Sequence, residues 1–415
     1  MAPDSPSTFS RRRVLALSSA VSGTALAGCA GLRTRLKETY LGTPDRQVPA
    51  DWRPAPGEWP TADYDLARTR HNPHATPPRE GPERAWTADV ATSGWGSLVV
   101  ADDTVFVRGD TDLVALDTGD GSERWRKSRP ERGDLKFVAG RVYDMERERL
   151  RAVTPAGEEV WTTEFEQSVP YDVLERDGWV YALRYYGGGH RLHADTGDVV
   201  AEVDAEVSIP TTSGGTVYSG RFSLSAHDIV DGEFVERWSG DAPNPYEAYS
   251  FAAGSGDRLF RGEQAEPGRD AKHPGRLAVY DAATGSQKTA FPLDHAARAP
   301  AVDDDSVYVS TSTVSAGDIG NGGQFVALTR AGEERWRYEP GHSLQPPLVA
   351  GGAVYVGPFA SEGPLLAFDT TTGEELWREA GPGTPDDELS GAPEFAAAGD
   401  TLYVGTGDGL VAYRA

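Results

Sequence analysis

Two histidine pairs are the first residues in this chain whose type and spacing suggest chemistry. His71 and His74 stand in HNPH, and His190 and His193 stand in HRLH. On a helix that spacing would bring two metal ligands to one face. On a strand it sends the two rings to opposite sides, and neither pair has a nearby Cys or His set to complete a shell. The acidic runs offer hard oxygen ligands of the kind calcium takes: Asp303, Asp304 and Asp305, and PDDE at 385–388. Neither follows an ordered calcium-loop spacing, so both read as solvated turns. The chain carries no nucleophile motif and no phosphate-cradling glycine loop. Cys29 is the only cysteine, which excludes an intramolecular disulfide.

The composition narrows the partners. Among 415 residues the formal net charge is −24, which speaks against nucleic acid and against electrostatic attachment to an anionic membrane. The cations are almost all arginine, and the only lysines are Lys37, Lys127, Lys136, Lys272 and Lys288. A heavily acidic, lysine-poor surface resembles that of proteins from salt-loving archaea, where high ionic strength screens self-repulsion. With 48 Gly and 29 Pro the chain is rich in turns, and no apolar run reaches the length of a membrane-spanning helix.

The N-terminus reads as an address. Ser10-Arg11-Arg12-Arg13-Val14-Leu15 resembles a twin-arginine export motif, and Leu26-Ala27-Gly28-Cys29 resembles a lipobox. The expectation is a signal peptide over 1–28 and lipid attachment at Cys29, with the protein exported and anchored to the outer face of the cytoplasmic membrane. Residues 29–58 are polar and proline-containing, which predicts a flexible tether, with room for one short helix over 32–40.

A repeat organises the remainder, 59–415. Short strands begin at Val105, Val142, Val180, Val217, Leu259, Val307, Val354 and Leu402, spaced 37 to 48 residues apart. Each follows a tight-turn signal, and each is followed by a strand with a mid-strand residue that is small in most copies. Those residues are Ala115, Ala152, His193, Ala226, Val279, Ala327, Ala367 and Ala412. A glycine turn comes next and, in several copies, a tryptophan: Trp125, Trp161, Trp238, Trp336 and Trp377. Four short strands per 40 to 50 residues is the pattern of a propeller blade. The expected fold is all-β, an eight-bladed β-propeller of four-stranded blades. GPERAWTADV, with Trp86, supplies the missing outer strand of the last blade and closes the ring.

ALDTGDGSERW and its relatives resemble the repeat of the pyrroloquinoline quinone (PQQ) propeller superfamily, roughly A-x-D-x-x-T-G-x-x-x-W. The matches are clearest at Ala115/Asp117/Trp125 and at Ala367/Asp369/Thr372/Gly373/Trp377. WPTADYDLARTRHNP, residues 59–73, resembles the segment that leads into the first blade of such proteins. The resemblance implies one of two roles. One is a cofactor-free scaffold, such as the lipoprotein of outer-membrane barrel assembly or the exported lipoproteins of halophilic archaea. The other is a quinoprotein dehydrogenase with PQQ and calcium in the central funnel. That enzyme's adjacent-cysteine disulfide is missing here, and no segment reproduces its calcium-ligand or catalytic-aspartate contexts. The expectation is therefore a non-catalytic platform for a protein or ligand, with the dehydrogenase as the alternative.

A ligand at the channel mouth would meet Trp95, Tyr171, Arg298 or Gln345, which stand where inner strands begin. Longer loops at 262–275, 311–323 and 378–393 gather on that same face, around the fifth to eighth blades, and mark it as the expected face for a protein partner.

Overall fold

The computed structural model describes residues 26–92, 97–129, 131, 133–166, 171–208, 210–219, 224–240, 246–248, 253–265, 273–312, 322–359, 363–379 and 393–415. The chain divides into two compact units, Met1–Thr43 and Pro44–Ala415. In the first, Leu26–Leu41 is an α-helix, and Leu32, Leu36 and Tyr40 are exposed along it.

The second unit is an eight-bladed propeller. Its first blade shows the plan: antiparallel strands Leu98–Ala101, Thr104–Arg108, Asp112–Asp117 and Glu123–Ser128, from the channel outward. In five blades the hairpin between first and second strands is built on paired left-handed residues. Asp102/Asp103, Ala139/Gly140, Asp177/Gly178, Gly214/Gly215 and Gly351/Gly352 all have positive φ, the geometry of the type I′ turn that matches strand twist. Glu83–Ala88 pairs antiparallel with Gly409–Arg414, placing Trp86 opposite Ala412, so an early strand closes the last blade as expected.

One row of side chains explains the repeated sequence. In six blades an aromatic residue on the second strand, an alanine on the third and a tryptophan on the fourth stand in register. Examples are Phe106–Ala115–Trp125 and Tyr355–Ala367–Trp377. The alanine lets the two rings flank it, with centroids 6.0 Å apart in the first blade and 5.8 Å in the seventh. Each indole then reaches the next blade. Trp336 Nε1 donates to Thr370 O, and its ring lies over Gly373. Trp86, Trp125, Trp161 and Trp238 cover Gly121, Gly157, Gly197 and Gly285 in the same way. Those glycines have positive φ, and a Cβ on any of them would come within 3 Å of the ring above. Asp369 shapes the turn from below by accepting the amide hydrogens of Thr371 and Thr372. The motif is thus one inter-blade joint. Its Asp and Gly build the socket, and its Trp fills the next blade's socket.

The third blade departs from the plan and corrects a reading of the sequence. Its register sets Arg191, not His193, opposite Tyr181, in the place where other blades carry alanine. Ala201 stands where the tryptophan would be. The buried Arg191 guanidinium stacks on Trp179, and its Nη1 donates to Asp231 O in the next blade's turn. An arginine therefore takes over the wedge role. His193 instead packs edge-on against Trp179.

Residues 44–58 are not the expected free tether. Arg46 forms an ion pair with buried Glu175, and Val48 O accepts the Asp177 amide hydrogen, both at the third blade. The boundary of the folded unit therefore lies at Pro44, fifteen residues earlier than the repeat alone indicated.

Gly373 and Gly399 separate two costs. Both have positive φ, but a Cβ on Gly373 would meet Trp336 at 2.5 Å, whereas Gly399 faces open space. Gly399→Ala should lose roughly 1 kcal/mol of stability through backbone strain, and Gly373→Ala clearly more, because the indole must also leave its socket. Urea unfolding followed by tryptophan fluorescence measures both.

Candidate functional site

The site begins with the lead-in segment. From Val48 to Thr76 it runs across the end of the channel where the inner strands finish, bonding to all eight blades. Trp59 exchanges backbone hydrogen bonds with Val100 in the first blade, and Pro60 O accepts from Phe137 in the second. Val48 serves the third, and Leu66, Ala67, Thr69 and Arg70 carbonyls accept from Thr212, Gly254, Val302 and Val349 in the fourth to seventh. Asn72 Nδ2 donates to Ala397 O in the eighth. Following a ring needs sharp turns, and Tyr64, Arg68 and Arg70 adopt φ of 73°, 58° and 51°, a strained region for such residues. The channel is thereby floored at one end.

Above this floor lies a cleft of about 730 Å³, continuous with solvent. Lys136 and Asp134 reach it from the second blade's inner strand, Asp172 from the third's, and Asp63, Asp65 and Arg68 from the floor. Arg68 bridges Asp63 and Asp172. Arg70 Nη1 meets Asp63 Oδ1 at 2.6 Å, and Lys136 Nζ meets Asp172 Oδ1 at 2.8 Å. Burial alone would raise the Asp63 carboxyl, but the two arginines outweigh it and hold it below the usual range. Burial lowers Lys136 despite Asp172.

Asp134 is different. Its carboxylate makes no hydrogen bond or ion pair among the described residues. Burial, and then the charge of Asp172, push it up to about 7. Arg108 opposes this only in part. Its guanidinium is already committed to Asp144 at 3.0 Å and Glu146 at 3.2 Å, all three side chains fully buried. Asp65 is likewise raised by burial to about 6, against the Thr69 amide that it accepts. Four carboxyls thus face two cations in this cleft.

The residues expected at the mouth divide. Tyr171 lines the cleft. Its ring stands edge-on to Tyr185 at 4.7 Å, Tyr185 to Tyr186 at 4.9 Å, and Tyr186 is 81% exposed. Gln345 lines a second, narrow pocket, which borders the cleft at Ala62. There its buried amide finds no partner among the described residues. Arg298 sits over the ring of Phe359, its Cζ 3.7 Å from the ring centre. Trp95 falls outside the described residues, as do most of the long loops: 266–272, 313–321 and 380–392. Cys29 lies in the helix of the first unit. His71 and His74 line one pocket together with Asp303 and Asp304, whereas the second histidine pair separates. His190 stacks on Phe165 while His193 meets Trp179, and no trio of His, Cys, Asp and Glu suited to a metal occurs among the described residues.

Asp134 should leave a pH signature. Its folded pKa, about 7, lies above the ordinary carboxylate value of about 4. Between those values the folded state keeps a proton that the unfolded state has lost, so this group lowers stability as pH rises through the window. Asp134→Asn removes the effect. The melting-temperature advantage of the variant should be near zero at about pH 4, grow with pH, and level off above about pH 7. A constant offset across pH would show that Asp134 does not carry the raised value.

Comparison with known proteins places this geometry in a family. Serine/threonine-protein kinase AfsK of Streptomyces coelicolor is 28% identical over 398 residues, 88% of this chain and 40% of the kinase. The chain spans less than half the length of the curated relatives it matches. Among solved structures, BamB from Moraxella catarrhalis superposes with a TM-score of 0.60 at 17% identity, covering 80% of this chain and 97% of that one. The quinohemoprotein alcohol dehydrogenase of Comamonas testosteroni gives a TM-score of 0.63 at 14% identity, covering 94% and 84%. Those two likenesses carry the fold alone. The family model described as outer membrane protein assembly factor BamB matches residues 76–144, 146–288 and 273–415, most of the propeller, and the chain therefore belongs to that PQQ-like propeller family.

Proposed function

We propose that this chain is a non-catalytic binding platform, an extracytoplasmic propeller that holds a partner at the open end of its channel. The observation that carries this reading is the floor formed by residues 48–76. It bonds to every blade and leaves a one-ended cleft in which Asp63 and Asp172 are paired with Arg68, Arg70 and Lys136, while Asp65 and Asp134 meet no cation among the described residues. Paired charges suit recognition better than turnover, because a general base or acid must be free to exchange its proton. Extracytoplasmic location is supported by the family's description and by the twin-arginine and lipobox patterns. On this reading Cys29 carries the lipid anchor, and the surface acidity belongs to a salt-adapted cell.

The alternative is a PQQ- and calcium-dependent quinoprotein dehydrogenase, favoured by the breadth of the fold likeness to the Comamonas enzyme. PQQ is a planar tricarboxylate and needs uncommitted cations, whereas here Arg68 and Lys136 already serve Asp63 and Asp172, and acids are in excess. The oxygen-rich shell that calcium takes is not assembled among the described residues. The described residues do not fit the cofactor, and no catalytic step follows from them.

Calorimetric titration of PQQ, with and without calcium, into the unit 44–415 in high salt decides between the readings. Absence of saturable binding at tens of micromolar is the expected result. A stoichiometry near one per chain would overturn the platform reading and call for alcohol-oxidation assays.

A further inference from the structure

The channel wall already holds one guanidinium, that of the chain's own floor. That floor carries Arg68, which pairs with Asp63 beside it and crosses to Asp172 on the third blade, so a guanidinium from an extended segment is held by an inner-wall carboxylate. One blade back, Asp134 presents a second carboxylate to the same cleft, and no described residue answers it. Its position on the second inner strand places it two residues before Lys136, whose ammonium is spent on Asp172 and on Val173 O at 2.7 Å. At the rim, Tyr171, Tyr185 and Tyr186 form an edge-to-face ladder leading from the cleft to solvent. Exposed tyrosine beside an acidic pocket is suited to a cationic side chain. The aromatic faces attract the cation, and their large area anchors the flanking chain.

Resting on the platform reading, we infer that the cleft is the docking site for an arginine side chain on an extended segment of a partner protein, with Asp134 as its counter-ion and the Tyr171–Tyr185–Tyr186 ladder as the rim. Charge complementarity selects this occupant. Carboxyls outnumber cations in the cleft, so an anionic segment would be repelled, and an apolar one would leave the Asp134 carboxylate desolvated without a partner. Arginine is preferred over lysine because its planar guanidinium can contact a carboxylate by two hydrogen bonds while stacking on a ring. The groups facing Asp134 are Lys136 on its own strand, Asp172 and Tyr171 from the third blade, Arg108 from the first, and Asp63, Asp65 and Arg68 from the floor. Asp65 and Asp134, raised to about 6 and about 7, both gain charge as pH rises from about 5 to about 8, so arginine binding should tighten over that range.

The test is fluorescence-detected titration of acetyl-Gly-Arg-Gly-amide, with the alanine and lysine peptides as controls, into the unit 44–415 at low and high salt. Saturable binding of the arginine peptide is expected, weaker for lysine and absent for alanine. It should fall at least tenfold in Asp134→Asn and several-fold in Tyr186→Ala, at unchanged or higher melting temperature. Asp134 has no ion-pair partner among the described residues and Tyr186 is exposed, so neither change threatens the fold. Equal binding of all three peptides, no binding, or binding indifferent to Asp134→Asn would each overturn the arginine assignment. A PQQ titration on the same samples keeps the two levels apart. Saturation by PQQ would sink the platform reading itself, whereas failure of both ligands would sink only the assignment of arginine.

Discussion

Everything in this molecule depends on one inter-blade joint: an indole laid over a left-handed glycine of the next blade, with its N–H on a neighbouring carbonyl. A four-stranded sheet has two faces to bury and only its neighbours to bury them against. The indole supplies area, on the order of 200 Å² each, and the hydrogen bond fixes its direction. The glycine permits the close approach. Because the same residue triplet must build a socket and fill the next one, the joint repeats around the ring and writes itself into the sequence as a period. Where the tryptophan is missing, another side chain must take its place. In the third blade Arg191 does so with a cation stacked on Trp179 and a hydrogen bond to the next turn. In the fifth, Thr289 lies against Gly332 instead.

The ring so formed is open at both ends, and the lead-in segment closes one of them by a different physical means. Its hold on the blades is backbone to backbone, so it uses the amides left over where inner strands finish, groups that would otherwise need water. Curling along those amides forces Arg68 and Arg70 into left-handed backbone, a cost of about 1–3 kcal/mol each. Their guanidinium groups offset that cost by pairing with Asp63 and Asp172. Floor and wall are thus mutually dependent. Removing one partner would leave a buried charge unpaired, which is far costlier than the pair is beneficial.

This division explains what could be read from the chain. The blades were legible because the joint fixes Asp, Gly and Trp at set spacings, and the closing strand was legible because Trp86 lacks a blade of its own otherwise. The mid-strand reading singles out His193, but strand register decides which residue faces Tyr181, and that residue is Arg191. The floor was not foreseen, since backbone hydrogen bonds leave no side-chain signature. The signal available was the alternation of acids and arginines in DYDLARTR, which has no reason to exist in a plain linker. Tyr171 was found from its place at the start of an inner strand. Asp134 was missed although DLKF carries two charges on one face of a strand lining the channel.

The lining, then, is where this propeller becomes specific. The joint between blades is indifferent to what faces the axis, so the inner strands are free to carry any chemistry the scaffold can tolerate. In this chain they carry Asp134 and Asp172: Arg68 of the floor and Lys136 of the wall answer Asp172, and no described residue answers Asp134. A rigid ring cannot relax to hide the carboxylate that remains. Its repulsion from Asp172 and its separation from bulk water both favour keeping a proton until a cation arrives. The cost of leaving Asp134 unanswered is therefore carried by the folded state once the carboxyl ionises, and a proton or a positively charged group at the carboxylate relieves it.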